Sequence, residues 1–283
     1  MDKSPQEQLE SILRLALEED DFENDITSKS LISSRQNGTA AIIAKEEGIL
    51  ACVNAVSPIF HMVDPSLKID ILIKEGNRVK PYDRIVTVSG SLAGILGGER
   101  TALNFLSHLS GIATQTARYV EKVNGTKAVI RDTRKTMPGL RLLEKYAVTI
   151  GGGENHRLNL ADGILIKDNH IASLRKDGLT LKEIINKARQ NSPEGTIIEV
   201  EVNTVEEAIE ALQTDVDIIM LDNMNLENMK KVVGLVSGKV KLEASGGITL
   251  DNIKDVAMTG VDYISIGALT HSAKALDFSL EVD

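Results

Sequence analysis

The sequence has little of what marks secreted, membrane-spanning or disulfide-rich proteins. Its single cysteine, Cys52, allows no disulfide within the chain, so we expect a reducing compartment. No run of about 18 apolar residues is present, which argues against a membrane-spanning helix. The polar start MDKSPQEQLE is unlike a signal peptide. The sequence therefore predicts a cytoplasmic protein that does not associate with membranes.

The sequence also lacks an excess of positive charge. Lys and Arg number 32 against 41 Asp and Glu, a net charge of −9. This sign excludes non-specific attraction to nucleic acid, and any anionic ligand must meet a local basic cluster. The 283 residues, 42% of them hydrophobic and 26% charged, suit a globular protein of about two domains.

Familiar catalytic motifs are absent as well: there is no GxSxG, P-loop, HExxH or CxxC run. Cys52 lies in the apolar run ILACVNAV, which favours buried packing over a nucleophilic role. His61 and His108 have no partner at metal-ligand spacing. The chemistry must come from other residues.

Two patterns of secondary structure divide the chain. Ser4, Pro5 and Glu7 are a helix start signal, and the helix should end near the acidic run 18–21. Short β-branched runs over 39–98 predict a small antiparallel sheet, followed by a helix over 99–123. From 127 onward, apolar runs alternate with helical patterns, which is typical of βα units and a parallel sheet. The strand candidates are KAVIRD, GILIKD, TIIEVEV, VDIIMLD, VKLEAS and VDYISIG, with capped helices beginning at Thr180, Thr204 and Thr249.

Chemically useful residues follow the predicted parallel strands. In a βα barrel the carboxyl ends of the strands ring one mouth, where catalytic groups collect. Glu199 and Glu201 share one face of their strand because side chains alternate, and Glu201 with Asp222 offers the oxygen ligands that Mg²⁺ prefers. Any one of these residues could be an isolated solvated charge at the start of a loop, but this explanation does not suit the whole set. The strand-end set is Lys167, Glu201, Asp222, Ser245 and Gly267.

Two anion-binding features accompany these strand ends. Ser245, Gly246 and Gly247, before a helix expected near Thr249, offer backbone N–H groups to a phosphate, as does Gly267. The segment 131–157 carries six basic against three acidic residues, and its arginines suit a ligand with carboxylates. We expect its glycines 151–153 to let the backbone approach a ligand. Arg141 and Lys145 also fit a solvated helix.

Long runs of this sequence resemble one family. RDTRKTMPGLRLLEKYAV, GGGENHRLNLADGILIKDNH, EVEV, LDN, EASGGI and ISIGALTHS, together with GERTALNFL and the early DIT, are similar to quinolinate phosphoribosyltransferases. The resemblance implies an α/β fold: an N-terminal α+β sandwich-like domain over 1–112, joined by the tail 273–283, and an open, incomplete α/β barrel over 113–272. It also implies a homodimer with shared active sites, with assembly beyond the dimer left open.

The activity implied by this resemblance is transfer of phosphoribose from phosphoribosyl pyrophosphate (PRPP) to quinolinate. Loss of CO₂ would give nicotinate mononucleotide and pyrophosphate, with Mg²⁺ and no organic cofactor. Lys135, Lys167, Glu201 and Asp222 would be catalytic. The implied quinolinate ligands are Arg134, His156, Arg157, Lys167 and Arg100 of the partner subunit, and Thr133 is implied as a further substrate-binding residue. Those implied for PRPP are Lys135 and Lys167 at the phosphates, Glu201 and Asp222 at the ribose and Mg²⁺, and Ser245, Gly246, Gly247 and Gly267 at the 5-phosphate, with His271 nearby.

Three alternatives remain at this point. A related transferase acting on another carboxylated base without decarboxylation is the nearest, although the number of cations exceeds what a monocarboxylate needs. The run IKEGNRVKPYDRIVTV is similar to biotinyl and lipoyl carrier sheets, but the following VSGSLAG supplies no lysine. An inactive phosphate-binding regulator would not need the full set of charged strand ends.

Overall fold

The chain forms two compact units in a computed structural model that describes residues 4–283. The first unit comprises residues up to Ala117, with Thr136–Gly152 and Ala268–Asp283; the second comprises Arg118–Lys135 and Gly153–Gly267. The domain boundaries expected from the sequence remain a prediction. Within the described residues, no helix combines the length and apolar character needed to cross a bilayer.

The helices and strands follow in chain order. Up to residue 123 they are α1 (Pro5–Glu19), α2 (Ile26–Leu31), β1 (Asn37–Ala44), β2 (Gly48–Ile49), α3 (Val56–Val63), β3 (Lys68–Ile71), β4 (Arg78–Val79), β5 (Arg84–Ser91) and α4 (Leu92–Val123). Beyond it they are β6 (Val129–Arg131), α5 (Arg141–Ile150), β7 (Ile164–Ile166), α6 (Asp168–Lys176), α7 (Leu181–Asn191), β8 (Ile198–Val202), α8 (Val205–Ala211), β9 (Ile218–Asp222), α9 (Leu226–Val236), β10 (Lys241–Ser245), α10 (Ile253–Ala257), β11 (Tyr263–Ser265), α11 (Ala268–His271) and β12 (Phe278–Val282).

Capping explains where α1 and α2 begin. The Ser4 hydroxyl accepts the N–H of Glu7, and the Glu7 carboxylate accepts the N–H of Ser4, which confirms the predicted capping box. Leu13 and Leu17 bury the inner face of α1. The carboxylate of Asp25 accepts the N–H groups of Thr27 and Ser28, so the DIT run acts locally as the cap of α2.

The first unit contains the expected antiparallel sheet, with strand order β12-β1-β5-β3. Antiparallel pairing joins the last strand, β12, to β1. Strand β5 passes directly into α4, so the segment resembling a carrier domain has no hairpin tip on which a cofactor would be attached. Helix α3 interrupts the stretch predicted to be a sheet.

Helix α4 begins at Leu92, seven residues before the predicted start at residue 99. The glycines of SLAGILGG lie within this helix or at its start, and at least one of them serves close packing. A Cβ on Gly98 would lie 2.6 Å from Cδ1 of Phe60 in α3. Glycine is therefore required by the approach of α3 rather than by a break in the backbone.

The second unit contains a six-stranded sheet in the order β6-β11-β10-β9-β8-β7, and all its pairs are parallel. All six predicted strands are confirmed. Because β11 returns to pair with β6 while β6 and β7 are the sheet edges, the ring of strands is open between them. Val200, Val202, Ile219 and Leu221 are fully buried on one face of the sheet, whereas the other face carries charged residues.

Two of the three predicted helix starts are confirmed, at Thr180 and Thr204, whose hydroxyls accept N–H groups from Glu183 and Glu207. The start near Thr249 is wrong. Residues 250–252 form a turn, and α10 begins at Ile253 and is only five residues long. A helix this short contributes little dipole at its N-terminus.

Candidate active site

Parallel pairing brings the strand-end residues of the second unit to one edge of its sheet, which we call the barrel mouth. Asp222, the last residue of β9, is paired with Ser245, the last of β10, and Ser245 is paired with Ser265 of β11. Glu201 lies near the end of neighbouring β8. Residues far apart in the sequence therefore end on one side of the sheet, as the βα pattern predicts.

Glu201 has a charged neighbour on each side at the mouth. Its Oε1 lies 3.9 Å from Nζ of Lys167, which follows β7. Burial and the negative charge of Asp222 raise the pKa of Glu201, while the Lys167 ammonium acts in the opposite direction. Glu201 and Asp222 therefore form a pair of interacting carboxylates, a donor set that suits a hard cation.

Asn223 supports the end of β9 in a way that the sequence interpretation missed. Its backbone has a left-handed φ of 51°, and its Nδ2 donates to Oδ2 of Asp222 at 3.0 Å. The backbone N–H of Asn223 donates to the carbonyl of Ser245 at 2.9 Å. The LDN run could have indicated this role, because Asn is one of the few residues that tolerate such a backbone.

The turn after β10 requires glycine. Gly246 and Gly247 have φ values of 89° and 62°, and a Cβ on Gly246 would come within 2.5 Å of Cγ of Asn223. Asn252 closes the turn, because its Nδ2 donates to the Gly247 carbonyl and its Oδ1 accepts the Thr249 N–H. Such a turn can direct successive N–H groups at an anion.

Arg134 and Arg157 form the basic part of the site. Burial and the nearby Arg134 lower the pKa of Arg157, while Glu199 and Glu201 oppose this. The Nε atoms of both arginines are buried, and within residues 4–283 neither has a hydrogen-bond partner. Because a buried donor without an acceptor is costly, this pair suits an anion that supplies the missing oxygens.

His156 is held on several sides by protein groups. Its backbone N–H donates to the buried carboxylate of Asp132 at 2.8 Å, and its Nδ1 accepts the N–H of Arg157 at 2.9 Å. Nε2 lies 2.8 Å from Oε2 of Glu199. Burial lowers the pKa of His156, but the hydrogen bond to Glu199 and the charges of Glu243 and Glu199 raise it more, so that the net shift is upward.

The other predicted site residues divide between the two units. Thr133 and Lys135 lie in the loop after β6, where the Thr133 hydroxyl accepts the N–H of Lys135, and Gly267 follows β11. Arg100 and His271 belong to the first unit. The Arg100 side chain is 62% exposed on α4, and exposed His271 ends α11.

Lys145 and Gly151 of the basic segment are explained by packing. Lys145 is 2% exposed, so it does not lie on a solvated helix face. A Cβ on Gly151 would lie 2.5 Å from the carbonyl oxygen of Ala113 and 2.6 Å from Cβ of Thr116. Gly151 therefore allows the end of α5 to pack against α4, which explains it without a ligand.

The fold and the mouth together define a class: an α/β enzyme with an open parallel barrel that binds a ligand bearing phosphate and carboxylate groups. The family model for the quinolinate phosphoribosyl transferase C-terminal domain matches residues 112–281, and the N-terminal domain model matches residues 25–110. The chain belongs to the quinolinate phosphoribosyl transferase family.

Individual relatives agree over nearly the whole chain. A probable nicotinate-nucleotide pyrophosphorylase [carboxylating] of Bacillus subtilis is 42% identical, covering 97% of this chain and 93% of its own. A quinolinate phosphoribosyltransferase [decarboxylating] of Nicotiana tabacum is 41% identical, covering 99% and 83%. The crystal structure of NadC from Streptococcus pyogenes has a TM-score of 0.93 at 41% identity, covering 100% and 99%. This similarity confirms the predicted fold class.

Proposed function

We propose that this protein transfers phosphoribose from PRPP to quinolinate with loss of CO₂, giving nicotinate mononucleotide and pyrophosphate for NAD biosynthesis. Full-length similarity to relatives with the corresponding names supports the activity. The observation that carries the assignment to this site is the pair of buried Nε donors of Arg134 and Arg157, without acceptors in residues 4–283, beside the carboxylates of the barrel mouth.

The arginine side of the mouth is the proposed quinolinate site. Two adjacent guanidinium groups match two adjacent carboxylates, and each can bind one in bidentate fashion. Lys167, 3.9 Å from Glu201, is proposed as a third positive charge for quinolinate. Thr133 and His156 complete the set that the family resemblance implies within the second unit.

The glycine side of the mouth is the proposed PRPP site. Ser245, Gly246, Gly247 and Gly267 receive the 5-phosphate, because their turns offer backbone N–H groups without side-chain obstruction. Glu201 and Asp222 bind the ribose hydroxyls and hold Mg²⁺. Lys135 and Lys167 lie at the diphosphate. When bound, Mg²⁺ supplies positive charge for the developing diphosphate.

The chain's own residues need to position the substrates rather than attack them. The pyridine nitrogen already has a lone pair and needs no general base, which fits the absence of a nucleophile motif. Carbon–oxygen cleavage develops positive charge on the ribose that Glu201 and Asp222 stabilise, while Lys135 and Lys167 neutralise the leaving group. The positive charge of the pyridinium formed then stabilises the ring carbanion left when the adjacent carboxylate leaves as CO₂. A proton from solvent takes the place of the carboxylate, so no organic cofactor is required.

We further propose a cytoplasmic homodimer in which Arg100 of the partner subunit completes each quinolinate site. The exposed position of the Arg100 side chain on α4 is compatible with such a contribution, and His271 is proposed near the 5-phosphate. No nucleic acid or membrane takes part.

The direct test is turnover of purified protein with PRPP, Mg²⁺ and one base at a time. Quinolinate should give nicotinate mononucleotide, pyrophosphate and CO₂ in equal amounts, without added pyridoxal phosphate or thiamine diphosphate. Nicotinate is the control, since it lacks the second carboxylate. Preference for nicotinate would reverse the assignment in favour of a transferase without decarboxylation, and CO₂ release that depends on an added organic cofactor would contradict the mechanism.

A further inference from the structure

Two buried carboxylates lie on the charged face of the six-stranded sheet and are not used by the proposed reaction. Glu199 of β8 is 4% exposed and Glu243 of β10 is fully buried. We call them the buried acid pair. Burying a carboxylate costs several kcal/mol unless partners compensate for the lost water, so the contacts of this pair indicate why the fold retains it.

Glu243 has hydrogen-bond partners on two other strands, β6 and β11. Nη1 of Arg131 donates to its Oε2 at 3.2 Å, and the hydroxyl of Ser265 donates to its Oε1. The guanidinium of Arg131 also lies 3.4 Å from the ring centroid of Tyr263. Arg131 and Ser265 therefore fix Glu243 within the sheet.

Both members of the acid pair also lie close to His156. Its Nε2 lies 2.8 Å from Glu199 and 3.4 Å from Oε1 of Glu243. Because Nδ1 of the same ring accepts the N–H of Arg157, the imidazole connects the buried acid pair to the backbone of Arg157. Asp132 holds the backbone of His156 from a further side.

A proton, rather than a metal ion, explains the distances among these three side chains. Their ligand atoms lie within 4.8 Å of one another. This proximity alone would allow a bound metal ion. Metal–ligand bonds of about 2.1 Å in a tetrahedral site would separate the ligand atoms by roughly 3.4 Å. The 2.8 Å between His156 and Glu199 is a hydrogen-bonding distance, and the nearby Arg131 guanidinium repels a divalent cation.

We propose that Glu199 and Glu243 are positioning residues for the quinolinate site, acting through His156 to hold Arg157 beside Arg134. This inference rests on the proposed function and assigns a role to two residues outside it. In this arrangement the His156 ring lies between the buried acid pair and the backbone of Arg157. A displacement of about 1 Å at a positioning group can cost up to 100-fold in rate, so the effect is measurable.

Kinetics of Glu199 variants test the role. Glu199→Leu removes the carboxylate that lies 2.8 Å from Nε2 of His156, whereas Glu199→Gln keeps an oxygen at nearly the same place. We expect Glu199→Leu to raise the KM for quinolinate at least about tenfold, with the KM for PRPP changed less than about twofold, and Glu199→Gln to recover most of the loss. Asp262→Asn is the control: it disturbs a carboxylate bound to Lys127 and Lys241 at the opposite end of the sheet.

A double-mutant cycle tests the route through His156. If Glu199 acts through the imidazole, adding Glu199→Leu to His156→Asn should change the KM for quinolinate little further. If the effects of Glu199→Leu and His156→Asn on this KM multiply in the double variant, the proposal is overturned. Unchanged kinetics of both Glu199 variants, or equal rises in the KM values for quinolinate and PRPP, would also overturn it. A wild-type protein that does not turn over quinolinate would overturn the proposed function itself, and this inference with it.

Discussion

The ammonium of Lys167 and the carboxylate of Glu201 lie 3.9 Å apart where two neighbouring parallel strands end. This distance exceeds a hydrogen bond, so the lysine is not bound tightly to one acid and can turn to an arriving anion. The charges of Lys167 and Asp222 both act on Glu201, in opposite directions.

Removing the Lys167 ammonium should reduce catalysis. We expect Lys167→Ala to lower kcat/KM for quinolinate about 100-fold or more, because a preorganised charge at the leaving group and the substrate is lost. Steady-state kinetics with both substrates measure this. Lys176→Ala is the matched control, an exposed lysine at the end of α6. Equal rates in the two variants would remove Lys167 from the site.

The two mouth carboxylates should set the Mg²⁺ requirement. Asp222→Ala and Glu201→Ala each remove an oxygen ligand, so we expect the Mg²⁺ concentration for half-maximal velocity to rise about tenfold or more, with near-native circular dichroism. Glu227→Ala is the control, because Glu227 is exposed and pairs only locally with Lys231. An unchanged Mg²⁺ titration in both site variants would show that neither carboxylate holds the ion.

Local signals in the sequence predicted the strands and helix caps well, but they did not predict how the helices pack. The strands and the caps at Ser4, Thr180 and Thr204 follow from alternation and hydrogen bonding within a few residues. Glycines were harder to interpret, since Gly98 inside α4 is explained only by Phe60 from another helix.

Contacts across the sheet also escaped prediction. Alternation placed Glu199 and Glu201 on one face, but the partner of Glu199 remained open. That partner, His156, is 43 positions away along the chain by subtraction, and its position depends on how the loop after α5 packs. The strand-end residues were more accessible to prediction, because parallel pairing alone brings them to one edge of the sheet.

Gly246 should tolerate no side chain. Gly246→Ala places a Cβ against Asn223 and adds left-handed backbone strain, so we expect a rise of about tenfold or more in the KM for PRPP and a loss of stability above 1–2 kcal/mol. Gly238→Ala is the control: its φ is 78° and nothing lies within 4 Å of the added Cβ. That variant should lose only about 1 kcal/mol and keep its KM. Urea unfolding and PRPP saturation curves compare the two, and equal KM values would contradict the proposed phosphate turn.

Shared active sites should allow complementation between two inactive variants. Arg100→Ala and Lys167→Ala each damage every site in their own homodimers. A mixed dimer would regain one intact site, so random mixing should recover about a quarter of the wild-type activity. The two proteins are co-refolded, and the activity is compared with that of each variant refolded alone. No recovery in a mixture shown to contain mixed dimers would argue that Arg100 acts within its own subunit or not at all.

The buried acid pair should make stability depend on pH. Burial and the charge of Glu199 raise the pKa of Glu243 to about 7, against the opposing effects of His156, Ser265 and Arg131. A carboxyl whose pKa is higher in the folded state favours folding when protonated, so its contribution falls as pH rises from the unfolded pKa of about 4.3 towards 7.

Replacing Glu243 with Gln should flatten this dependence. Gln cannot ionise, so between pH 5 and pH 8 the unfolding free energy of Glu243→Gln should rise relative to wild type by the order of 1–3 kcal/mol. Urea unfolding across that range measures it. Glu227→Gln, an exposed acid, should follow the wild-type curve. Parallel curves for wild type and Glu243→Gln would show that Glu243 keeps its charge throughout this range, stabilised by Arg131 and Ser265.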